Sequence, residues 1–445
     1  MKFIHRSQFV INAEGTASNC GNRPDLSAPT ATKTQLSFTR RQTICTSALA
    51  LGSLLVTGLP ALAQKVQFPG VTETEIRIGN TAPYSGPGSA FSTIAKVEAA
   101  YFRMINDNGG INGRKINFIS YDDALSPPKT VEQTRKLVES DEVLAVFNTI
   151  GTAANLAAQK YLNAKQVPQL LVGGGATHLV DPKKYPWTMG WQPTYHSEAV
   201  IYAKYILSNH PNAKIAVISQ NDDFGKDYLG GLKEGLGEKA KTMIVSEATY
   251  EPSDPTIDSQ VLKLKASGAD VLVNITTPKF ASQVIKKVAE IGWKPTHFLI
   301  NISVSVGAVM KPAGIENSQG ILSTAYLMES TDARWKDHPD MKAWSAFMDK
   351  YLPGANKADS MNVYGYVTAQ ALVHILKQCG NDLSRANVMK QAASLNRVPF
   401  QLMLPGIVAS TTASDFYPIQ QLQMMRLKGE QWELFGPIIS SGAGQ

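Results

Sequence analysis

Residues 75–122 read EIRIGNTAPYSGPGSAFSTIAKVEAAYFRMINDNGGINGRKINFISYD, and this stretch decides which fold the chain is expected to adopt. The short run Ile76–Asn80 predicts a strand, and apolar residues then recur at helical spacing over 94–104. Asn108-Gly109-Gly110 is a signal that ends a helix, after which Ile116–Tyr121 predicts a second strand. The stretch is therefore predicted to be a strand–helix–strand unit.

The same alternation continues through most of the chain. Further strands are predicted at Val143–Phe147, Gln169–Val172, Ile215–Ser219, Met243–Glu247, Val271–Ile275, Phe298–Ile300, Gln420–Leu427 and Gln431–Leu434. Further helices are predicted at Thr130–Glu139, Ala153–Asn163, Ser197–Asn209, Lys226–Leu236, Phe280–Ile291, Asp340–Tyr351, Met361–Gln378 and Ser384–Leu395. Such alternation is typical of parallel sheets covered by helices on both faces, and the pattern restarts after Pro193. The predicted fold class is α/β, with two doubly wound Rossmann-like lobes.

Composition argues against a nucleic-acid-binding protein and against a metal site. The net charge is +7, but six of the 43 basic and only two of the 36 acidic residues precede Gln64, so the rest carries +3. That surplus is too small and too dispersed for a nucleic-acid surface. Cys20, Cys45 and Cys379 have no metal-binding or redox spacing, and the histidines have none either. We predict no metal and no cofactor.

Residues 1–63 predict a cleavable export signal with a long leading segment. Arg40-Arg41 precede an uncharged, mostly apolar run over 44–59, and Ala61-Leu62-Ala63 forms a cleavage site before Gln64. Paired arginines are typical of twin-arginine export, although Thr43 replaces the usual aromatic or apolar residue and leaves ordinary secretory export open. The run is too short and too polar for a membrane anchor.

Polar, glycine-rich loops follow three of the first predicted strands. One spans 83–89 and contains Tyr84, the second is Gly151-Thr152, and the third is 173–177. In doubly wound sheets a ligand lies beyond the carboxyl ends of the strands, where loops meet helix N-termini. Free backbone N–H groups at such places can bind an anion. The glycines of any single loop are also explained by a turn that requires glycine.

Catalytic signatures are missing from the sequence. It contains no G-x-S-x-G, no Walker loop and no H-E-x-x-H. Ser126–Lys129 matches S-x-x-K, but its two prolines place it in a loop before a helix. Adjacent carboxylates such as Asp122-Asp123 at a strand end usually form a solvated turn. We predict no enzymatic activity and keep a periplasmic enzyme only as an alternative.

Four strings together resemble one family, the leucine/isoleucine/valine-type periplasmic binding proteins of ABC transporters. They are IRIGNTAPYSGPGS, NDNGGINGRKINFISYDDA, KYPWTMGWQP and NVYGYVTAQALVHIL, and the resemblance extends from about Glu75 to near the C-terminus. The resemblance implies the type I periplasmic binding fold, whose two lobes are joined by a hinge of three crossovers. It places lobe one at 74–193 plus 321–412 and lobe two at 194–320 plus 413–445.

The resemblance also implies a ligand site between the lobes. The residues implied to hold a ligand carboxylate are Thr152, Gly175, Ala176 and Thr177. Those implied to surround the rest of the ligand are Tyr84, Phe91 and Tyr364 from lobe one and Phe224, Thr276 and Thr277 from lobe two. An aromatic cluster of Trp187, Trp191 and Tyr195 is interpreted as packing at the lobe junction, with a role in lining the cleft as the alternative.

One departure from the family concerns the ligand ammonium group. Amino-acid-binding members have an acidic residue after the strand that matches Phe298–Ile300, whereas here the loop offers Asn301 and Ser303. A buried ammonium without an anionic partner is costly. Glu329 and Asp359 are acids outside this loop, and their position relative to the cleft is open at the sequence level.

These features predict a monomeric periplasmic solute-binding component of an ABC importer, partnered by an inner-membrane permease. Its ligand would be a small molecule with a carboxylate, either an amino acid or an aromatic or aliphatic organic acid. A ligand-sensing domain presented to a receptor is an alternative of another class.

Overall fold

The computed structural model describes residues 68–440, in which strands and helices alternate. The predicted signal over 1–63 and its cleavage site at Ala63 and Gln64 lie outside the described residues. The strands are β1 (Glu75–Ala82), β2 (Lys115–Asp122), β3 (Ala145–Phe147), β4 (Gln169–Val172), β5 (Thr188–Gly190), β6 (Ile215–Gln220), β7 (Ile244–Tyr250), β8 (Val271–Ile275), β9 (Thr296–Leu299), β10 (Leu322–Ala325), β11 (Gln421–Lys428) and β12 (Gln431–Ser440).

The helices lie between the strands, and three of them follow one another between β10 and β11. They are α1 (Ser92–Asp107), α2 (Pro127–Glu139), α3 (Thr152–Ala164), α4 (Tyr195–Asn209), α5 (Asp223–Leu236), α6 (Ala240–Met243), α7 (Asp258–Ala266), α8 (Pro278–Glu290), α9 (Lys311–Ala313), α10 (Pro339–Tyr351), α11 (Met361–Gln378) and α12 (Arg385–Ala392). No helix within 68–440 is long and apolar enough to cross a membrane.

The first sheet contains five parallel strands in the order β2-β1-β3-β4-β5. Adjacent residues of β3 show why helices cover both faces. The Phe147 ring contacts that of Phe102 in α1, whereas Val146 belongs to a separate apolar cluster with Leu137 of α2 and Leu162 of α3. Because side chains alternate along a strand, a fully apolar run buries residues on both sides of the sheet.

The second sheet contains seven strands in the order β12-β11-β10-β9-β8-β6-β7. β11 is antiparallel to both β10 and β12, and the other neighbours are parallel. Along β8, Val271 and Val273 join the main apolar core, while Leu272 joins a second cluster with Phe280 of α8. The second sheet is therefore also buried on both faces.

The helices between β10 and β11 return to the first sheet. α11 packs against α1, and Gly365 makes the close approach possible, since a Cβ at this position would lie 2.7 Å from the Ile94 carbonyl oxygen. Below, the first lobe means the first sheet with its helices and α10–α12, and the second lobe means the second sheet with its helices. This arrangement confirms the predicted α/β fold of two doubly wound lobes.

Five elements were not predicted from the sequence. The strands β5 (TMG) and β10 (LSTA) are short and lack an apolar run. The helices α6 and α9 have only four and three residues, and α7 buries only Val261 and Leu264. β10 corrects one predicted boundary: it lies within 321–412, assigned to lobe one, but it pairs with β9 and β11 of the second sheet. The crossover back to the first lobe therefore follows Ala325.

Candidate ligand-binding site

A cavity of about 330 Å³ lies where loops after strands of both sheets meet. Gly151 and Gly173 follow β3 and β4 of the first sheet, and Asp222, Thr277 and Asn301 follow β6, β8 and β9 of the second. All five lie beyond the carboxyl ends of their strands, the place where doubly wound sheets bind ligands. The volume suits a small molecule.

The two lobes contact each other around this cavity. The Thr177 hydroxyl donates to Asp227 Oδ2 at 3.2 Å, and the Ser305 hydroxyl donates to Asp359 Oδ1 at 2.8 Å. A third contact joins the backbones, since the Gly307 N–H donates to the Ala358 carbonyl at 2.8 Å. The cavity is therefore enclosed by both lobes.

The N-terminus of α3 forms a polar end of the cavity. Gly151 has a φ of +101°, which turns the chain from β3 into a helix that begins at Thr152. Thr152 is 4% exposed, and its buried hydroxyl oxygen lies next to the Tyr195 hydroxyl without a hydrogen bond of normal geometry among the described residues. The first N–H groups of a helix also lack intrahelical acceptors. An anion in the cavity would satisfy both.

Tyr195 lines the cavity beside Thr152. Burial raises the pKa of its hydroxyl to about 12, so the group stays protonated at neutral pH. Its ring packs edge-on against Phe224, with 5.1 Å between ring centroids, and stacks on Tyr228. Gly175 leaves room for this ring, because a Cβ there would lie 2.9 Å from it.

An apolar wall adjoins these polar groups. Phe91, Ile94, Ile150 and Met361 form a buried cluster, which Ile302 of the second lobe joins. All five line the cavity. This wall would cover the apolar part of a ligand and remove it from water.

Acidic groups line or surround the cavity, and two of them are satisfied. Asp222 caps α5 by accepting from the Gly225 N–H, and its other oxygen accepts from Gln220. Glu198 lies buried behind the wall and accepts from the Asn301 N–H at 2.9 Å and the Thr324 hydroxyl at 2.7 Å. It also accepts from the hydroxyls of Tyr202 and Tyr228. Glu198 therefore fixes the loop after β9 and offers no free oxygen.

Glu329 is different, because it lines the cavity with little support from the protein. Its Oε1 accepts from the Thr331 hydroxyl at 3.4 Å, and the Thr331 N–H also reaches the carboxyl group. Burial, reinforced by the nearby Asp359 and Asp332, raises the pKa of Glu329 to about 8. None of the described residues that line the cavity is lysine, arginine or histidine.

The structure places six of the twelve predicted ligand-binding residues in the cavity wall. These are Phe91, Thr152, Phe224, Thr277, Asn301 and Tyr364. The Tyr364 hydroxyl also contacts Asn148 and Gln192, at 3.3 and 3.4 Å.

The other six lie outside the wall, with their polar groups engaged in the protein. Tyr84 contacts the Ser120 hydroxyl, and the Gly175 carbonyl accepts from the Tyr195 N–H. The Ala176 carbonyl accepts from the Tyr417 hydroxyl, while Thr177 donates to Asp227. Thr276 donates to Asn274, and Ser303 donates to the Thr276 carbonyl.

Sequence reasoning left the position of Glu329 open and interpreted Tyr195 as junction packing, with a role in lining the cleft as the alternative; both residues lie in the cavity wall. Trp191 is fully buried against Phe400, as expected for junction packing, but Tyr195 of the same predicted cluster lines the cavity. Its position at the start of α4, directly after a crossover, was the available signal. Glu329 gave no such signal, because the strand that leads to it, β10 (LSTA), has no apolar run that would predict it.

No group of three or more His, Cys, Asp or Glu side chains that could hold a metal ion occurs among residues 68–440. The chemical groups around the cavity are hydrogen-bonding side chains, the N-terminus of α3 and an apolar wall.

Comparison with known proteins identifies the family. The sequence profile described as periplasmic binding protein matches residues 75–431. The chain therefore belongs to the periplasmic binding protein family. Relatives include Leu/Ile/Val-binding protein homolog 7 of Brucella suis biovar 1 (strain 1330), 23% identical, with 87% of this chain and 93% of the relative covered. The amino acid binding protein of Pseudomonas aeruginosa is 24% identical, with 76% and 85% covered.

Solved structures support the same fold. A branched chain amino acid ABC transporter protein from Thermus thermophilus with bound valine has a TM-score of 0.75 at 15% identity, covering 84% of this chain and 98% of that one. A fatty acid ABC transporter substrate-binding protein from Thermomonospora curvata has a TM-score of 0.72 at 18% identity, covering 85% and 95%. The predicted resemblance to leucine/isoleucine/valine-type binding proteins is confirmed. The relatives are named as binding proteins, and the fold is the one that the solved substrate-binding proteins share.

Proposed function

We propose that this protein is the periplasmic solute-binding component of an ABC importer and captures a small ligand with a carboxylate and an apolar body. The carrying observation is the pair of buried hydroxyls of Thr152, at the start of α3, and Tyr195, which lie side by side at one end of a cavity that also has an apolar wall. The ligand carboxylate would accept from Thr152 and the first N–H groups of α3, and Tyr195 would donate its hydroxyl.

Capture would proceed through motion of the lobes. The ligand would bind to the first lobe through Thr152 and stabilise the arrangement in which Phe224 and Asn301 of the second lobe close the cavity. A ligand that contacts both lobes favours the closed form over the open one by its difference in affinity for the two. The permease in the inner membrane would then recognise the closed form. We further propose a monomer exported through the predicted signal.

An organic acid without an amine is the second candidate ligand. Two observations favour it: the loop after β9 carries Asn301 in place of an acid, and one structural neighbour is named as a fatty acid binder. The role of the protein would be unchanged, because the carboxylate would occupy the same end of the cavity.

The substitution Thr152→Val tests the proposed carboxylate site. It removes the hydroxyl while keeping the shape of the side chain, so we expect the affinity for leucine or for 4-methylpentanoate to fall at least tenfold, as for a lost hydrogen bond to a charged group, about 1.5–3 kcal/mol. Isothermal titration calorimetry on the chain from Gln64 measures this.

The matched control is Thr242→Val, which lies on α6 outside the cavity and is exposed. It should bind both compounds as the unaltered protein does. Equal affinities of the Thr152→Val and Thr242→Val proteins would show that the carboxylate is not bound at α3.

A further inference from the structure

The charged groups in the cavity wall limit which ligands can bind, beyond the requirement for a carboxylate. Asp222 and Glu329 are the acids in the wall, and none of the described residues in the wall is basic. A ligand that carried only a carboxylate would therefore add negative charge to a wall that has acids and no cation. A ligand that also carried a positive group would balance one of these acids.

Three acids lie close together at the Glu329 end of the cavity, and two of them already have strong partners. Asp332 accepts from the Arg334 guanidinium, with 2.9 Å between Oδ2 and Nε. Asp359 accepts from the Ser305 hydroxyl at 2.8 Å and from the Met361 N–H at 3.2 Å. Glu329 has only Thr331, whose hydroxyl donates at 3.4 Å and whose N–H also reaches the carboxyl group.

Building on the proposed function, we infer that Glu329 determines specificity by accepting a positively charged nitrogen of the ligand. The ligand class is therefore a molecule with both a carboxylate and an amine. Glu329 supplies the acidic partner of the ligand amine, which the loop after β9 cannot supply. That loop carries Asn301, and the neighbouring Glu198 already accepts from four donors.

Two kinds of ligand carry both a carboxylate and an amine, and they differ in where the amine is attached. An α-amino acid such as leucine carries its amine next to the carboxylate, whereas 6-aminohexanoate carries it at the far end of an apolar chain. Each has a counterpart that lacks only the amine, namely 4-methylpentanoate and hexanoate. These four compounds are the probes of the test.

The test is calorimetric titration of the unaltered protein and of the Glu329→Gln protein with the four probes. We expect at least one amine-bearing probe to bind the unaltered protein ten times or more tightly than its amine-free counterpart. Glu329→Gln should abolish that preference and leave the amine-free counterpart bound equally or more tightly. Glu316→Gln, an exposed acid outside the cavity, is the control and should change neither.

The dependence on pH provides a second readout, which a purely structural role would not give. The groups facing Glu329 are Thr331, Asp332 and Asp359, all neutral or acidic. Because burial raises the pKa of Glu329 to about 8, the affinity for the amine-bearing probe should rise about tenfold per pH unit from pH 6 toward pH 7 and level off above pH 8. In the Glu329→Gln protein this rise should disappear.

Two results would overturn the inference while leaving the proposed function in place: binding of amine-bearing and amine-free probes with equal affinity, or an equal loss of both on Glu329→Gln. Failure of every probe to bind would instead overturn the proposed carboxylate capture, and the inference with it.

Discussion

Glu98 is a buried acid without any hydrogen bond to its carboxylate oxygens in the part of the chain that the structure describes. It lies on α1, fully buried, close enough to Tyr84 and Tyr364 to affect their ionisation. Burial raises the pKa of Glu98 well above its ordinary value. The residue therefore destabilises the fold at neutral pH, since the unfolded chain ionises freely and the folded chain does not.

Replacing Glu98 by methionine, which is similar in length and apolar, should stabilise the protein. At pH 7 we expect the free energy of unfolding to rise by about 2 kcal/mol, the scale of one unsatisfied buried polar group. The gain should shrink as the pH falls below about 4.5, where the carboxyl group is protonated in both states. Urea unfolding at pH 7 and pH 4 measures both values.

Glu132→Met, at an exposed position on α2, is the control for this substitution and should have little effect. A gain at pH 4 as large as that at pH 7 would show that ionisation of Glu98 is not the cause. A loss of stability at pH 7 would show that the carboxyl group has a partner in solution.

At the scale of elements, the turn at Gly175 supports the start of α4. Its carbonyl accepts from the Tyr195 N–H, and an added Cβ would lie 2.8 Å from the Pro193 carbonyl oxygen and 2.9 Å from the Tyr195 ring. Gly175 therefore acts on the site through Tyr195.

We expect Gly175→Ala to displace Tyr195 and to weaken ligand binding about tenfold, with a loss of about 1–3 kcal/mol in the free energy of unfolding from overpacking. Calorimetry and urea unfolding check the two effects. Gly230→Ala on α5 is the matched control, because its Cβ would meet nothing within 4 Å. It should keep the affinity and slightly raise stability. If Gly175→Ala behaved like the control, Tyr195 would not depend on this turn.

The elements that the sequence predicted well are those with long or uninterrupted apolar patterns. β4, β8 and α11 have the predicted ends, because a mostly apolar strand or an 18-residue helix carries a strong local signal. β10 carries almost no local signal, and its pairing with β9 and β11 holds it in the sheet. The wall residue Glu329, which follows β10, was therefore not placed by sequence reasoning.

The candidate site was predictable only in part, because the local sequence does not fix which of its residues face the cavity. Thr152 follows from a local rule, since it starts a helix after the short loop that follows β3. Whether Thr276 or Thr277 faces the cavity depends on the turn after β8, which buries the Thr276 hydroxyl against Asn274 and leaves Thr277 in the wall. The Tyr250 hydroxyl of β7 also takes part, since it accepts from the Thr277 N–H at 3.0 Å, and a contact from another strand is not visible in local spacing.

At the scale of the whole molecule, the cavity depends on two lobes meeting. The contacts between them include hydrogen bonds, such as Ser305 with Asp359 and Gly307 with Ala358, and the apolar contact of Ile302 with the first lobe. Motion of one lobe relative to the other is the default expectation for two units joined by an interface of this mixed kind. A ligand that fills the cavity adds contacts to both lobes, so its binding energy stabilises the whole fold.

A thermal-shift screen of the chain from Gln64 tests the central claim most directly. Leucine, isoleucine, valine and 6-aminohexanoate would be compared with 4-methylpentanoate, hexanoate, benzoate and phenylacetate. A ligand at 100 times its Kd stabilises the folded state by about 2.7 kcal/mol, enough to raise the melting temperature measurably. We predict such a rise with at least one amine-bearing carboxylate. Absence of any rise across the panel, in a protein that melts cooperatively, would contradict capture of a small carboxylate in this cavity.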